Sequence, residues 1–127
     1  LDVEAIPWSV ENEIPTLQRF DVGLYPLPLD NKWVLGKSGL KALQYMAVGL
    51  PVIATAIGAN YRIIENNKTG FLVKTKDEWI NQLEILLNDP VLRKNIGTSA
   101  RQNVVEHYSI HATAPVYLAI IDSCSRN

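Results

Sequence analysis

Four short apolar runs, at residues 2–6, 21–25, 51–54 and 70–73, constrain the fold of this chain more than any other feature. Their apolarity is continuous rather than alternating, which predicts strands buried on both faces, as in a parallel sheet. The segments between them read as helices. One runs from about Ser9 to Arg19, and a second from about Ser38 to Val48, where Gly49 and Pro51 stop it. A short turn covers Asn60 to Glu65. Strand–helix alternation predicts a right-handed βαβ arrangement, here an α/β fold with a partial Rossmann-like parallel sheet of about four strands flanked by helices.

After the fourth run only helical patterns remain, so a helical C-terminal tail is expected. Thr75 to Glu78 forms a capping box, followed by an apolar face of Trp79, Ile80, Leu83, Leu86 and Leu87. Asp89 and Pro90 cap and open the next helix, in which Leu92, Ile96, Ala100 and Val104 recur every fourth residue. A last helix follows Ser109, with Ile110, Ala114, Tyr117, Leu118 and Ile121 expected to face inward. Pro115 should kink that helix or mark its true start.

Composition excludes several function classes. With 127 residues the chain makes at most one domain, and 47% hydrophobic against 20% charged residues predicts a folded unit rather than a disordered one. The net charge of −1 supplies no basic field for nucleic acid or an anionic membrane, so phosphate binding must rest on local placement. The single cysteine, Cys124, excludes an internal disulfide and a cysteine metal cluster, which suits a reducing cytoplasm. Gly49 and Pro51 interrupt the longest apolar stretch, Tyr45 to Ala59, so no transmembrane segment is expected; a span needs about 20 residues. The opening LDVEAIPW has no positive n-region of a signal peptide and reads as a fragment boundary.

Ligands of doubly wound sheets bind beyond the carboxyl ends of the strands, which directs attention to the loop after residues 21–25. That loop, rich in proline, ends in Gly36-Lys37-Ser38-Gly39 at the start of a helix. Glycines admit close backbone approach, and a helix start offers unpaired N–H donors with a partial positive charge, a combination that favours phosphate. If the helix extends back to Lys37, then Lys37, Lys41 and Gln44 share one face: two lysines suit a diphosphate, and the glutamine suits ribose hydroxyls. The bland alternative is a solvated lysine face. Against it, lysines near a helix N-terminus oppose the dipole, and a bound anion would relieve that. A phosphate-loop reading of Gly36-Lys37-Ser38 fails, because Asn31 stands where the first glycine belongs and Tyr25 is eleven residues ahead of Gly36.

The run from Lys41 to Ala54, KALQYMAVGLPVIA, resembles the K-x-x-[EQ]-Y-M-A-x-G-x-P-V-[IV]-[AG] signature of group 1 glycosyltransferases. These are the retaining, GT-B-fold enzymes of family 4. The similarity extends upstream to Asp21–Leu27 and downstream to Ile64–Leu72, to the DP-x-L-R step at Asp89–Arg93 and to Tyr108-Ser109. The resemblance implies a C-terminal domain that holds a nucleoside-diphosphate sugar as donor substrate, while a separate N-terminal domain, absent here, holds a glycan or lipid-linked acceptor. It implies transfer with retention and no metal cofactor; the charge balance argues against a nucleic-acid partner, and a cytoplasmic setting is expected, any membrane contact being left to the missing domain. Lys41, with Lys37, would stabilise charge on the diphosphate as the catalytic pair. Gly36, Ser38, Gly39, Leu40 and Gln44 would line the donor.

Two positions depart from the family pattern. Gln44 stands where the second motif glutamate usually holds the ribose, and Gly36, eight residues earlier, where the first glutamate belongs. The second departure motivates an alternative, a non-catalytic α/β nucleotide-binding module. Without an acceptor domain, the chain alone is expected to be inactive.

Other features carry less. His107 and His111 are four apart but separated by a helix break at Tyr108-Ser109, which predicts two surface histidines rather than a metal pair. Asn67-Lys68-Thr69 matches a glycosylation sequon without a route to the secretory pathway. Of the three tryptophans, Trp79 belongs to a core stripe, and only Trp33 lies in the loop near the expected ligand.

Overall fold

Parallel pairing organises the computed structural model, which describes residues 2–125. Strands β1 (Gly23–Tyr25), β2 (Val52–Thr55) and β3 (Phe71–Val73) form one sheet in that order, with Leu24 opposite Ile53 and Ala54 opposite Leu72. All four residues of β2 are buried, and its three apolar residues alternate between two cores. Val52 and Ala54 pack with Ala42 and Met46 of α2 (Leu40–Ala47), Ile63 of α3 (Asn60–Ile63) and Ala100 of α5 (Pro90–His107). Ile53 turns the other way, onto Phe71, Val73, Leu86 of α4 (Lys76–Asn88) and Ile96 of α5. Burial on both faces is therefore the physical reason for the continuous apolar runs.

The expected first strand does not form. The sheet has three strands among the described residues, and residues 2–6 run along the surface with Val3 85% exposed. The segment is held instead by an ion pair between Glu4 and Arg19, 3.2 Å apart. Its alternating charges, Asp2 and Glu4, leave too little apolar surface to enter a two-sided sheet. Helix α1 (Val10–Leu17) follows, capped by Ser9, whose hydroxyl accepts from the Asn12 N–H.

Helix boundaries follow the cap chemistry. The capping box is complete: Glu78 N–H donates to the Thr75 hydroxyl, and Glu78 Oε2 accepts from the Thr75 N–H. Asp89 caps α5 through the Leu92 N–H, and Pro90 opens it. Arg93, last residue of the DP-x-L-R step, donates to the Leu86 and Leu87 carbonyls at the end of α4, so that step is structural. On α4 the inner face is Trp79, Leu83 and Leu86, while Ile80 and Leu87 are exposed. On α5 the four-residue repeat is inward as expected.

The last helix, α6 (Ile110–Ser125), differs most from expectation. It runs through Pro115 from a start at Ile110, and it buries no residue. Ile110, Tyr117, Leu118 and Ile121 are all more than half exposed, and only Ala112 to Ala114 approach the body of the fold. The apolar face is real, but among the described residues α6 packs chiefly against α5, and its partly buried positions all lie at 112–114.

The capping box carries a pH signature. Backbone N–H donors of Lys74 and Thr75 hold the Glu78 carboxyl below its ordinary value of 4.5. A lowered folded-state pKa contributes stability above the ordinary value that is lost as pH falls through the lowered one. Glu78→Gln should therefore unfold at lower urea than the native chain at pH 7, with the gap closing in acid. A gap that persists undiminished to low pH would assign the effect to something other than the carboxylate.

Candidate functional site

The carboxyl ends of β1 and β2 feed two loops that meet. Thr55, at the end of β2, binds the first loop twice, accepting from the Leu27 N–H at 2.7 Å and donating to the Leu27 carbonyl at 3.0 Å. The loop then makes a 3-10 turn at Lys32–Gly36, capped by Asn31 and anchored by the buried Val34. The Lys37 N–H closes the turn on the Val34 carbonyl, 3.1 Å away. Asn60, almost completely buried, donates to the Thr55 carbonyl at 2.9 Å and fixes the second loop where α3 begins.

Gly39 joins these parts. It is the N-cap of α2 with φ +76, a conformation side chains rarely adopt, and a Cβ there would lie 2.3 Å from Cδ1 of Ile63. This break places the start of α2 at Leu40, so the helix does not reach back to Lys37. Lys37 stands outside it in extended conformation, and the shared face of three side chains reduces to Lys41 and Gln44. Lys41 is the second helical residue. Its N–H, with those of Leu40 and Ala42, has no hydrogen-bond partner among the described residues, the first helical bond being Leu43 N–H to the Gly39 carbonyl.

The candidate residues divide between neighbouring recesses. Lys37 and Gly36 flank the exposed Trp33. Lys41 lies beside Ile6, Trp8, Ser9 and Glu13 from the segment that enters α1. Gln44 lines an open cleft of about 690 Å³ between α1 and α2, with Glu13, Ile14, Val48 and Arg101. Ser38 and Leu40 are exposed between them. Around Gly36 a Cβ would meet nothing within 4 Å, so no neighbour fills the place of the missing side chain. Tyr45, next along α2, packs over Gly23, and burial raises its phenol above the ordinary 10.0.

Sequence reasoning did not find Glu13. It lies 31 residues from Gln44, yet the Gln44 amide donates to its carboxylate, at 2.5 Å. Nothing in local spacing signals a contact between side chains of two helices so far apart in the sequence. Thr55 and Asn60 were legible only as polar residues at the end of an apolar run. His107 and His111 are exposed, and no group of three or more metal-ligating side chains occurs among the described residues.

The model of the family described as glycosyl transferases group 1 matches residues 17–103. A trehalose synthase from Pyrococcus horikoshii is 33% identical over 85 residues, which cover 67% of this chain and 20% of that protein. The solved C-terminal domain of a group 1 glycosyl transferase from Francisella tularensis, LpcC, is 30% identical with a TM-score of 0.65, covering 83% of this chain and 53% of that one. Anabaena HepE, solved with UDP and glucose, shares the fold at TM-score 0.67 and 18% identity, covering 90% of this chain and 30% of HepE. The chain thus spans about a fifth of its curated relative and half of a solved C-terminal domain. With a family model over most of its length, and the signature run folded as α2 and β2, the chain belongs to the group 1 glycosyl transferases.

Proposed function

We propose that this chain binds the nucleoside-diphosphate sugar of a glycosyltransferase that passes the sugar, with retention, to a glycan or lipid-linked acceptor held by another domain. The observation that carries the reading is the start of α2: three unpartnered backbone N–H groups with Lys41 among them, at the carboxyl end of a parallel strand. Lys37 stands just before it on the loop that Thr55 holds at Leu27. Charge growing on the leaving diphosphate would meet the helix dipole and both lysines, so stabilisation is electrostatic and calls on no metal. Gly36, Ser38, Gly39 and Leu40 bring backbone close to the phosphates, and Gln44 serves the ribose. HepE, which shares the fold, was solved with UDP and glucose. No helix among the described residues is long and apolar enough to cross a membrane, and a cytoplasmic setting accompanies the proposal.

Titration calorimetry with UDP, GDP and ADP tests this. Lys41→Ala should weaken the diphosphate that binds by roughly ten- to a hundredfold, because a hydrogen bond to a charged group contributes about 1.5–3 kcal/mol. Gln44→Ala should cost less. An unchanged dissociation constant for Lys41→Ala would return both lysines to a solvated face. The open space at Gly36 favours a second reading, nucleotide binding without catalysis, which sugar transfer by an enzyme containing this sequence would exclude.

A further inference from the structure

We infer that Glu13 supplies the carboxylate that holds the donor's ribose, and that Gln44 positions it. The inference rests on the nucleotide reading above and assigns a role to a residue that the signature does not contain. Position 44 carries an amide, a weaker acceptor for two hydroxyl donors than a carboxylate. The fold brings a carboxylate to that amide. Glu13 is in the early turns of α1, and Leu17, one turn on along the same side, is the buried residue that seats the helix.

The hydrogen bond settles the roles of the two side chains. Ionised Glu13 can only accept, so the Gln44 Nε2 must face it, as it does with Glu13 Oε1 as acceptor. That leaves Gln44 Oε1 and Glu13 Oε2 as the two remaining acceptors. Glu13 also lines both recesses, the one that contains Lys41 and the cleft that contains Gln44, so it stands between the proposed phosphate and ribose positions. Among the described residues it has no ion-pair partner within 4.0 Å. A half-buried carboxylate with one oxygen engaged and the other available fits a vicinal diol, which offers two O–H donors.

Comparison of UDP, GDP and ADP with their 2′-deoxy counterparts tests the assignment by calorimetry on the 127-residue chain. The native chain should prefer the ribonucleotide by about tenfold, the loss of one charge-assisted hydrogen bond. Glu13→Gln should bind the two forms nearly equally. A purely structural tie between α1 and α2 would instead lower the urea midpoint and leave the preference intact, which overturns the inference. Absence of any ribose preference in the native chain overturns it equally. Gln44→Leu, which releases the carboxylate without removing it, should reduce the preference in part and carries the test should Glu13→Gln not fold. Failure of all three diphosphates to bind the native chain would sink the nucleotide reading itself, a result distinct from binding without ribose preference.

Discussion

Gly97→Ala should destabilise the fold by about 2 kcal/mol, although alanine is the better helix former. An alanine Cβ would lie 2.0 Å from the Gly49 carbonyl oxygen and 3.5 Å from Pro51 Cδ, inside the turn that joins α2 to β2. That oxygen is backbone, and Gly49 itself sits at φ +81, so the turn cannot rotate away without strain. One helical turn further, Arg101 donates to the Ala47 carbonyl and clamps α5 to the end of α2. Overpacking of this kind costs about 3 kcal/mol, and alanine in place of glycine in a helix returns only about 1. Packing therefore sets the sign. Urea unfolding of both chains measures it, and a variant as stable as the native chain would show that α5 does not press on this turn.

Met46→Ala should cost about 3 kcal/mol, the usual loss when a buried side chain of this size leaves a cavity. Met46 is completely buried, in the cluster where α2, β2, α3 and α5 converge. Met46→Leu, which nearly conserves volume, should cost less than about 1.5 kcal/mol. The difference separates packing from any requirement for sulfur, and equal losses in the two variants would contradict the packing role. Nucleotide binding should follow stability here, because Met46 points into the core while Lys41 and Gln44 occupy another side of the same helix. The signature thus mixes two kinds of residue. Ala42, Met46 and Val52 hold the helix on the sheet, whereas Lys41 and Gln44 remain at the surface.

Much of this was readable from the residues. The runs at 51–54 and 70–73 became β2 and β3 nearly in place, because two-sided burial demands continuous apolarity and little else produces it in short segments. Thr75, Glu78, Asp89 and Pro90 fixed two helix starts through bonds no more than four residues long. The run at 2–6 misled, since a strand exists only if an edge receives it, and Val3 met none. The face of α6 misled in a related way: periodicity reports which side is apolar, not whether anything covers it.

What the sequence determined by itself was the local chemistry: the parallel α/β class, the capped helices, the family signature and the Gly36–Gln44 segment as the candidate site. Tertiary structure decided the rest. A left-handed Gly39, at a place where Ile63 leaves no room for a side chain, removed Lys37 from the helix and left it on the loop. Thr55 and Asn60 tied that loop to the next one, and the folded chain brought Glu13 of α1 to Gln44 of α2 across the cleft between them. Caps and periodicity act within a few residues and are written in order along the chain. Contacts across 28 or 31 residues exist only after the core has folded, so no local pattern announces them.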